Sequence, residues 1–419
     1  MTKTISGTML RVVPCLTSLG LAAIVSACQL DVTNPGPIQA ENLENVKALP
    51  GVVNGAGRDI AEALNWIAYT GGAVAREIFP AGSTGSFGIT PRQQAGKLAD
   101  DDGSDWWNQA QRARWTAEAA VDRVKEVLGA PASSNVQLAQ ALVWAGFANR
   151  LLGENFCDGV INGGALQPYT VYLERAEANF TEAITVAGAA NNANLVSAAT
   201  AGRASVRLDR NNLAGAATDA ASIANTFAYR MPYFTTDLDQ YNRVYWASAN
   251  QPYRAHTVWN TFYDDYRKST KDPRVPFDSS LTVLVGDAAV GNLGRVRWYF
   301  QTKYPSQTSP INLVTGWEMR LLEAEVKLAG GDVPGAMTLV NAHRVSLGLA
   351  PWTAANATEA WTALKRERGI ELWLEGRRLG DFRRWQALNR PGTSDDMTGR
   401  DLCFATPLSE KETNPNLKP

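Results

Sequence analysis

The feature that most constrains the fold is a charged helical stretch near the carboxyl end, residues 367–385. At about 100° per residue, Glu367, Glu371 and Glu375 project along one stripe of a helix, and apolar side chains cover another side. Arginines are interleaved with these carboxylates, so the charges can pair when the helix is buried. The predicted members of this structural ion network are Glu367, Glu371, Glu375, Arg378, Asp381 and Arg384.

The same stretch contains a break that predicts two helices rather than one. Gly376 and Gly380 loosen the end of the first helix, and Asp381 is placed to cap the second by accepting bonds from its first N–H groups. Three carboxylates on one stripe could also be a catalytic acid and base. Because the interleaved arginines explain the same residues as ion pairs, we favour the structural interpretation.

These residues resemble the carboxyl-terminal signature of the SusD/RagB family, which runs roughly Glu-Arg, Glu-Leu, Glu-Gly-x-Arg and Asp-Leu/Phe-x-Arg-Trp. The matching positions are Glu367-Arg368, Glu371-Leu372, Glu375-Gly376, Arg378, Asp381-Phe382 and Arg384-Trp385. Further family landmarks follow the same order at Asp272-Pro273-Arg274, Lys303-Tyr304 and Asn414-Pro415-Asn416. The resemblance is therefore spread over nearly the whole mature chain.

Composition excludes some classes of function. The chain has 419 residues, 45% of them apolar, which is enough to bury a large core. A net charge of −1 gives no electrostatic case for a nucleic-acid partner. His256 and His343 lack a second metal-type ligand at a recognisable spacing, so we predict no histidine metal centre. No nucleophile elbow or phosphate-binding loop is present.

The amino terminus predicts a lipid anchor. Lys3 and Arg11 precede an apolar run over residues 12–25, which is shorter than the roughly 20 residues of a membrane-spanning helix. Small residues directly before Cys28 are typical of a lipobox, so we predict a signal peptide over residues 1–27 and lipidation of Cys28. An ordinary signal-peptidase site is the alternative. Residues 28–40 are polar and proline-rich and predict an extended tether.

Cysteine counting predicts one disulfide. Cys15 leaves with the signal peptide and Cys28 takes the lipid, so Cys157 and Cys403 remain as a single pair in an oxidising compartment. Two buried free thiols are the alternative.

Small and large apolar residues alternate at helical spacing through much of the chain, as in tetratricopeptide repeats. We predict a mainly α fold of such repeats, the helical superhelix of SusD-like proteins, with an irregular inserted lobe. The repeats occupy residues 41–224 and return in the carboxyl-terminal region, residues 316–419. Residues 225–315 form the inserted lobe, which holds close to half of the Phe, Trp and Tyr residues.

An acidic turn before one predicted helix could hold Ca²⁺ through Asp100, Asp102 and Asp105. We favour a solvated loop that ends in Asp105 as a helix cap, and we predict no metal site.

Sugar binding requires aromatic faces that cover the apolar side of a pyranose ring and planar polar groups that satisfy its hydroxyls. Residues 245–254 supply both kinds of side chain, and residues 259–267 supply them again. The family resemblance also points to a loop within residues 76–92. The candidate ligand-binding residues are Phe79, Phe87, Tyr245, Trp246, Asn250, Tyr253, Arg254, Trp259 and Tyr263.

The resemblance implies a surface-exposed outer-membrane lipoprotein that binds a glycan or another bulky nutrient and delivers it to a TonB-dependent, SusC-like transporter. Part of the helical scaffold would contact the transporter. The resemblance also implies a binding protein rather than an enzyme. Two alternatives stay open. A lipid-anchored glycoside hydrolase would need only two suitably placed carboxylates. A helical-repeat scaffold would bind only protein.

Overall fold

Helices form most of the regular structure of the described chain. The computed structural model describes residues 45–81, 90–248, 254–285, 296–393 and 397–417. The predicted signal peptide, the tether with Cys28, and the candidates Phe87, Asn250 and Tyr253 lie outside the described residues. Within the described ranges, no helix is both long and apolar enough to cross a membrane.

The helices follow one another along the chain with short turns between many of them. They are α1 (Leu49–Trp66), α2 (Gly72–Val74), α3 (Pro91–Gln94), α4 (Ser104–Leu128), α5 (Val136–Asn155), α6 (Thr170–Ala189), α7 (Ala193–Asp209), α8 (Leu213–Ala221), α9 (Arg243–Ser248), α10 (Phe262–Thr270), α11 (Gly316–Ala329), α12 (Val333–Ser346), α13 (Ala357–Glu371), α14 (Arg378–Ala387) and α15 (Leu408–Thr413). A π-helical turn, Ile67–Gly71, extends α1.

Adjacent helices approach closely because glycines face an aromatic ring. A Cβ atom at Gly146 of α5 or at Gly202 of α7 would lie only 2.5 Å from the ring of Phe180 in α6. Phe180 is fully buried, and its ring centroid is 5.0 Å from that of Phe147. Small residues opposite large ones thus pack neighbouring helices tightly. The mainly helical, tetratricopeptide-like fold predicted from the sequence is confirmed.

Polar side chains cap the amino-terminal ends of helices in the repeats. Asn212 accepts a hydrogen bond from the Gly215 amide at the start of α8 (3.1 Å), and Asp332 accepts one from the Gly335 amide at the start of α12 (2.9 Å). Each bond satisfies an N–H group that the first helical turn leaves without a partner. The polar turns of the sequence therefore fix where the second helix of each pair begins.

Eight short antiparallel strands are described, and five of them lie in the segment between the helical regions, residues 225–315. The strands are β1 (Phe79–Pro80), β2 (Asp158–Gly159), β3 (Gln167–Pro168), β4 (Ala228–Met231), β5 (His256–Thr257), β6 (Phe277–Val285), β7 (Val296–Gln301) and β8 (Ile311–Thr315). β4 pairs with β8, β6 with β7, β1 with β5, and β2 with β3. Because β4 and β8 lie at the two ends of residues 225–315, their pairing holds the ends of this inserted segment together.

A disulfide joins Cys157 to Cys403, with 5.1 Å between their Cα atoms. Hydrogen bonds flank it. The Cys157 amide donates to the Phe404 carbonyl (2.9 Å), and the Phe404 amide donates to the Asn155 carbonyl (2.8 Å). The bridge and these bonds hold the carboxyl-terminal segment beside the end of α5.

Arg274 connects the inserted segment to α13. Its guanidinium donates to Glu367 (2.6 Å) and Glu371 (2.9 Å) of α13, and also to its neighbour Asp272 (2.7 Å). Glu367 has no exposed surface and accepts a further bond from Arg344 of α12 (3.2 Å). One carboxylate thus neutralises two buried guanidinium groups from different parts of the chain.

Asp381 connects α13 to α14 and does not cap α14. The helix begins at Arg378, so Asp381 lies inside its first turn. Its carboxylate accepts two bonds from Arg368 (both 2.9 Å) and one from Arg384 (2.9 Å). Burial raises the pKa of Asp381, but the charges of Arg368 and Arg384 outweigh burial and hold the pKa well below its ordinary value. Arg378 donates to the Lys365 carbonyl (2.8 Å).

The break between α13 and α14 also contacts the inserted segment. Leu374 and Gly376 have positive φ angles (61° and 73°), which turn the chain sharply. Between them, the buried carboxylate of Glu375 accepts bonds from Lys303 (2.8 Å) and Asn312 (2.7 Å). The signature stretch therefore meets the inserted segment through two separate groups of charges.

We expect Glu367→Ala to lower the free energy of unfolding by about 3 to 5 kcal/mol, because Arg274 and Arg344 would lose a buried partner. Denaturant titration followed by circular dichroism measures this loss. The matched control is Glu126→Ala, which removes one partner of the exposed ion pair with Arg123 and should cost about 1 kcal/mol or less. Equal losses in the two variants would contradict a stabilising role for the buried network.

Candidate functional site

A small group of aromatic side chains lies apart from the main core. We call it the aromatic cluster and define its members by their mutual packing: Phe79, Ala81, Arg254, Trp259, Trp298 and Phe300. Ala81 and Trp298 are buried, whereas Phe79, Trp259 and Phe300 keep part of their ring surface exposed. Partly exposed rings grouped in this way resemble the lining of small-molecule sites.

Backbone pairing among three strands brings these distant residues together. β1 pairs with β5, which places Phe79 opposite Thr257. The next residue, Val258, donates its amide to the Tyr299 carbonyl of β7 (2.8 Å). Side chains alternate along a strand, so Trp298 and Phe300 share the face of the cluster while Tyr299 points to the main core.

One pair of rings packs edge to face, and the other pair is tilted. The Phe79 and Trp259 centroids are 5.6 Å apart with planes at 80°, and the Trp298 and Phe300 centroids are 4.7 Å apart. The Arg254 guanidinium carbon lies 5.0 Å from the centroid of Trp298. Among the described residues, neither the Trp298 Nε1 nor the Arg254 Nε has a hydrogen-bond partner. The cluster therefore combines partly exposed apolar ring faces with two N–H groups that are buried without a described partner.

Two residues with left-handed backbone conformations bracket the segment that carries Trp259. Arg254 has a φ angle of 43°, and Asn260 has a φ angle of 61°. Such angles cost of order 1 to 3 kcal/mol in residues other than glycine, and they are concentrated at functional sites.

Residues of the carboxyl-terminal signature, 367–385, hold the chain that leads into the cluster. Two residues before Phe79, the Glu77 carbonyl accepts a bond from the Trp373 indole (3.0 Å), and the Glu77 carboxyl accepts one from the Leu374 amide (3.2 Å). Burial raises the pKa of Glu77 to about 7. On β5, His256 is fully buried, and burial lowers its pKa to about 3, so the ring is neutral.

Phe79, Arg254 and Trp259 are the sequence candidates that the structure brings together. Tyr245 packs against the main core, and Trp246 packs on Tyr241 with 5.5 Å between ring centroids. Both are partly buried.

Tyr263 belongs to the core rather than to the cluster. Its hydroxyl donates to the Gly369 carbonyl (3.1 Å), its ring stacks on Trp373 with 5.4 Å between centroids, and 1% of its surface is exposed. A side chain so enclosed has no face for a ligand, because the same aromatic character that suits sugar binding also suits burial.

Trp298 and Phe300 were not among the sequence candidates. The signal that could have revealed them is the alternation along Val296-Arg297-Trp298-Tyr299-Phe300-Gln301, which places these two rings on one face of a strand. Arg297 precedes Trp298 and Gln301 follows Phe300, so each ring has one planar polar residue beside it in the sequence.

The acidic turn before α4 is occupied by basic side chains and amides. Asp100 accepts from Lys411 (3.0 Å), and Asp102 accepts from Arg92 (2.7 Å) and from the Ala99 amide (2.9 Å). α4 begins at Ser104, with Gly103 rather than Asp105 at the cap position, which corrects the predicted cap. In the part of the chain that the structure describes, no group of acidic, histidine or cysteine side chains is arranged to hold a metal ion.

A concave region lies beside α14. It is a cavity of about 620 Å³, and Lys365, Phe382, Trp385 and Arg390 contribute to its wall. Phe382 and Trp385 are only 8% and 2% exposed, so they present little ring surface to a ligand. The aromatic cluster therefore remains the better candidate for a sugar-binding surface.

One family model matches part of this sequence, and solved structures of one fold resemble this protein. Residues 235–417 match the family model described as the SusD family. A SusD superfamily protein from Bacteroides vulgatus shares the fold with a TM-score of 0.65 at 14% identity, over 89% of this chain and 98% of that one. A SusD-like carbohydrate binding protein from the same organism has a TM-score of 0.60 at 16% identity, over 81% and 83% of the two chains.

A laminarin binding SusD-like protein has a TM-score of 0.62 at 13% identity, over 87% of this chain and 97% of that one. At these identities the structural likenesses show the fold alone. No protein among the curated ones matches this sequence.

We expect Glu77→Gln to raise the melting temperature at pH 8 and to leave it nearly unchanged at pH 4.5. Between pH 4.5 and pH 7 the folded state keeps a proton on Glu77 that the unfolded state releases, so stability falls as pH rises through this window. Ionisation above pH 7 costs about 3 kcal/mol, which glutamine avoids while it still accepts from the Leu374 amide.

Thermal melts at the two pH values measure this effect, and the exposed Glu126→Gln serves as the control. A shift of the same size at both pH values would contradict an elevated pKa for Glu77.

Proposed function

Because residues 235–417 match the SusD family model, we propose that this protein is an outer-membrane lipoprotein that binds a glycan at the cell surface and passes it to a TonB-dependent transporter. The observation that carries the proposal is the aromatic cluster. Its partly exposed rings suit the apolar face of a pyranose. Several solved proteins of the same fold are described as binding carbohydrate or laminarin.

The sequence around the cluster supports the same use. Residues 82–89 follow Ala81 directly, and residues 249–253 precede Arg254 directly. These two segments supply the candidates Phe87, Asn250 and Tyr253. We propose that these three candidates contribute to the sugar site.

A binding role fits the carboxylates better than a hydrolytic role. Glu367, Glu371 and Asp381 each accept bonds from arginine side chains, so their charges are already paired. No member of the aromatic cluster is acidic. A glycosidase needs one carboxyl group as an acid and a second as a base or nucleophile beside the sugar, and the described cluster provides neither.

The helical scaffold offers a surface for the transporter. Trp115 of α4 is 59% exposed, and it borders one cavity of about 370 Å³ and another of about 280 Å³. Arg175 of α6 and Glu118 of α4 line the larger cavity. Exposed tryptophan and arginine side chains are enriched at the energetic centres of protein interfaces. We propose that this face contacts the transporter.

We expect Trp259→Ala to weaken glycan binding by about tenfold or more, without any release of product, because it removes an aromatic face from the site. A glycan array followed by calorimetry on the full-length protein in detergent measures the affinity, and product analysis of the same samples measures turnover. Trp115→Ala is the matched control, since it should leave sugar affinity unchanged and lower co-purification with the transporter.

Product release would establish an enzyme instead. Loss of sugar binding in the Trp115→Ala control would contradict the assignment of the two surfaces.

We expect Cys28→Ser to release the protein from the membrane fraction. Acyl chains contribute about 0.8 kcal/mol per buried CH₂ group, so their loss removes the proposed anchor. Membrane fractionation and metabolic labelling with an alkyne fatty acid test this, with Cys15→Ser as a control that should keep both the label and the membrane association. Labelling that persists in Cys28→Ser would place the lipid elsewhere.

A further inference from the structure

One buried hydroxyl lies where the segments of the aromatic cluster meet. Thr257 of β5 has only 1% of its surface exposed. Its Oγ1 atom accepts hydrogen bonds from the amides of Tyr299 (2.8 Å) and Trp259 (3.2 Å), and it donates one to the Tyr299 carbonyl (3.1 Å). A hydroxyl has one proton and two lone pairs, so these three bonds use its full hydrogen-bonding capacity.

These bonds connect all the segments that carry rings of the cluster. Tyr299 lies between Trp298 and Phe300 on β7. Thr257 lies opposite Phe79 in the β1–β5 pair. Because β5 pairs with β1 and β7 pairs with β6, the Thr257 hydroxyl joins two separate pairs of strands. A single side chain therefore links the backbone of β7 to both of the other ring-bearing segments.

The position of Trp259 is not determined by burial alone. Its side chain is partly exposed, and its ring packs edge to face on Phe79 with 5.6 Å between centroids. A partly exposed side chain is less constrained by packing than a core side chain. The bond from the Trp259 amide to Thr257 fixes the backbone from which this ring projects.

We propose that Thr257 is a positioning residue of the sugar site, whose hydroxyl sets the position of Trp259 relative to Trp298 and Phe300. This inference rests on the proposed function and adds to it a residue that acts through the rings rather than by touching the sugar. Rings that are already held in the arrangement of the bound state lose less conformational entropy when a ligand binds. Loss of the hydroxyl should therefore weaken binding.

The first measurement follows the rings themselves. Thr257→Val removes the hydroxyl and keeps the branched shape and strand preference of threonine. The full-length protein in detergent is labelled with 5-fluorotryptophan, and the variants Trp259→Phe and Trp298→Phe identify the two ¹⁹F NMR signals. We expect both signals to shift or broaden in Thr257→Val, because the amides of Tyr299 and Trp259 lose their acceptor.

The second measurement follows sugar binding by the same proteins. A glycan array that includes laminarin oligosaccharides identifies the oligosaccharide that the wild-type protein binds most tightly, and calorimetry with that oligosaccharide gives the affinities. We expect Thr257→Val to weaken binding by about tenfold or more, and Thr257→Ser to stay within about twofold of the wild type because serine keeps the hydroxyl.

Thr406→Val is the matched control. Thr406 is 2% exposed, and its hydroxyl donates to Asp158 (3.2 Å). This variant should lower the melting temperature but leave the Trp259 and Trp298 signals and the sugar affinity unchanged. If Thr257→Val does not fold, Thr257→Ala and Thr257→Ser give the same comparison, since they differ only by the hydroxyl.

Unchanged ¹⁹F signals of both rings in Thr257→Val would overturn the inference, whether or not a sugar binds. Shifted signals with unchanged sugar affinity would also overturn it, as would an equal loss of affinity in Thr406→Val. Failure of every oligosaccharide to bind the wild-type protein would overturn the proposed function, while the ¹⁹F signals would still show whether Thr257 positions the rings.

Discussion

Buried ion pairs between the α13–α14 region and the segments packed on it are the constraint on which the rest of the structure depends. Glu367 holds Arg274 of the inserted segment, and Arg384 of α14 holds Glu325 of α11. A buried charge without a partner costs several kcal/mol, so each of these groups fixes the position of the element that carries its partner. The pairs therefore act mainly by selecting one arrangement of helices and inserted segment, because apolar packing alone is not directional.

These ion pairs also position the candidate site, because the residues next to them contact the chain that carries it. Trp373 and Leu374, next to the charged residues of α13, bind the main chain and side chain of Glu77, and Glu77 leads directly into β1 with Phe79. Tyr304 of the inserted segment donates to the Leu374 carbonyl (3.0 Å), so the same break holds both sides of the site. The cluster is thus a small aromatic surface built on a rigid base of paired charges.

Sequence reasoning was most successful where the controlling interactions are local. Helical spacing and the alternation of small and large residues predict the repeats, because Gly146 and Phe180 must face each other for the helices to approach. Sequence patterns predict less where the same residue type occurs in two different structural roles. Asp381 could cap a helix or pair with arginine, and in the fold it pairs with Arg368 and Arg384. Tyr263 could face a sugar or the core, and it lies in the core.

The sequence by itself determined the helical architecture and the charged signature of α13 and α14, because both depend on spacings of a few residues that recur along a helix. It also contained Phe79, Arg254 and Trp259 as separate candidates. Only the tertiary structure decided that these residues meet Trp298 and Phe300. The contacts span more than 200 positions in the sequence, and such pairings arise from strand pairing and packing across the fold, which local patterns do not encode.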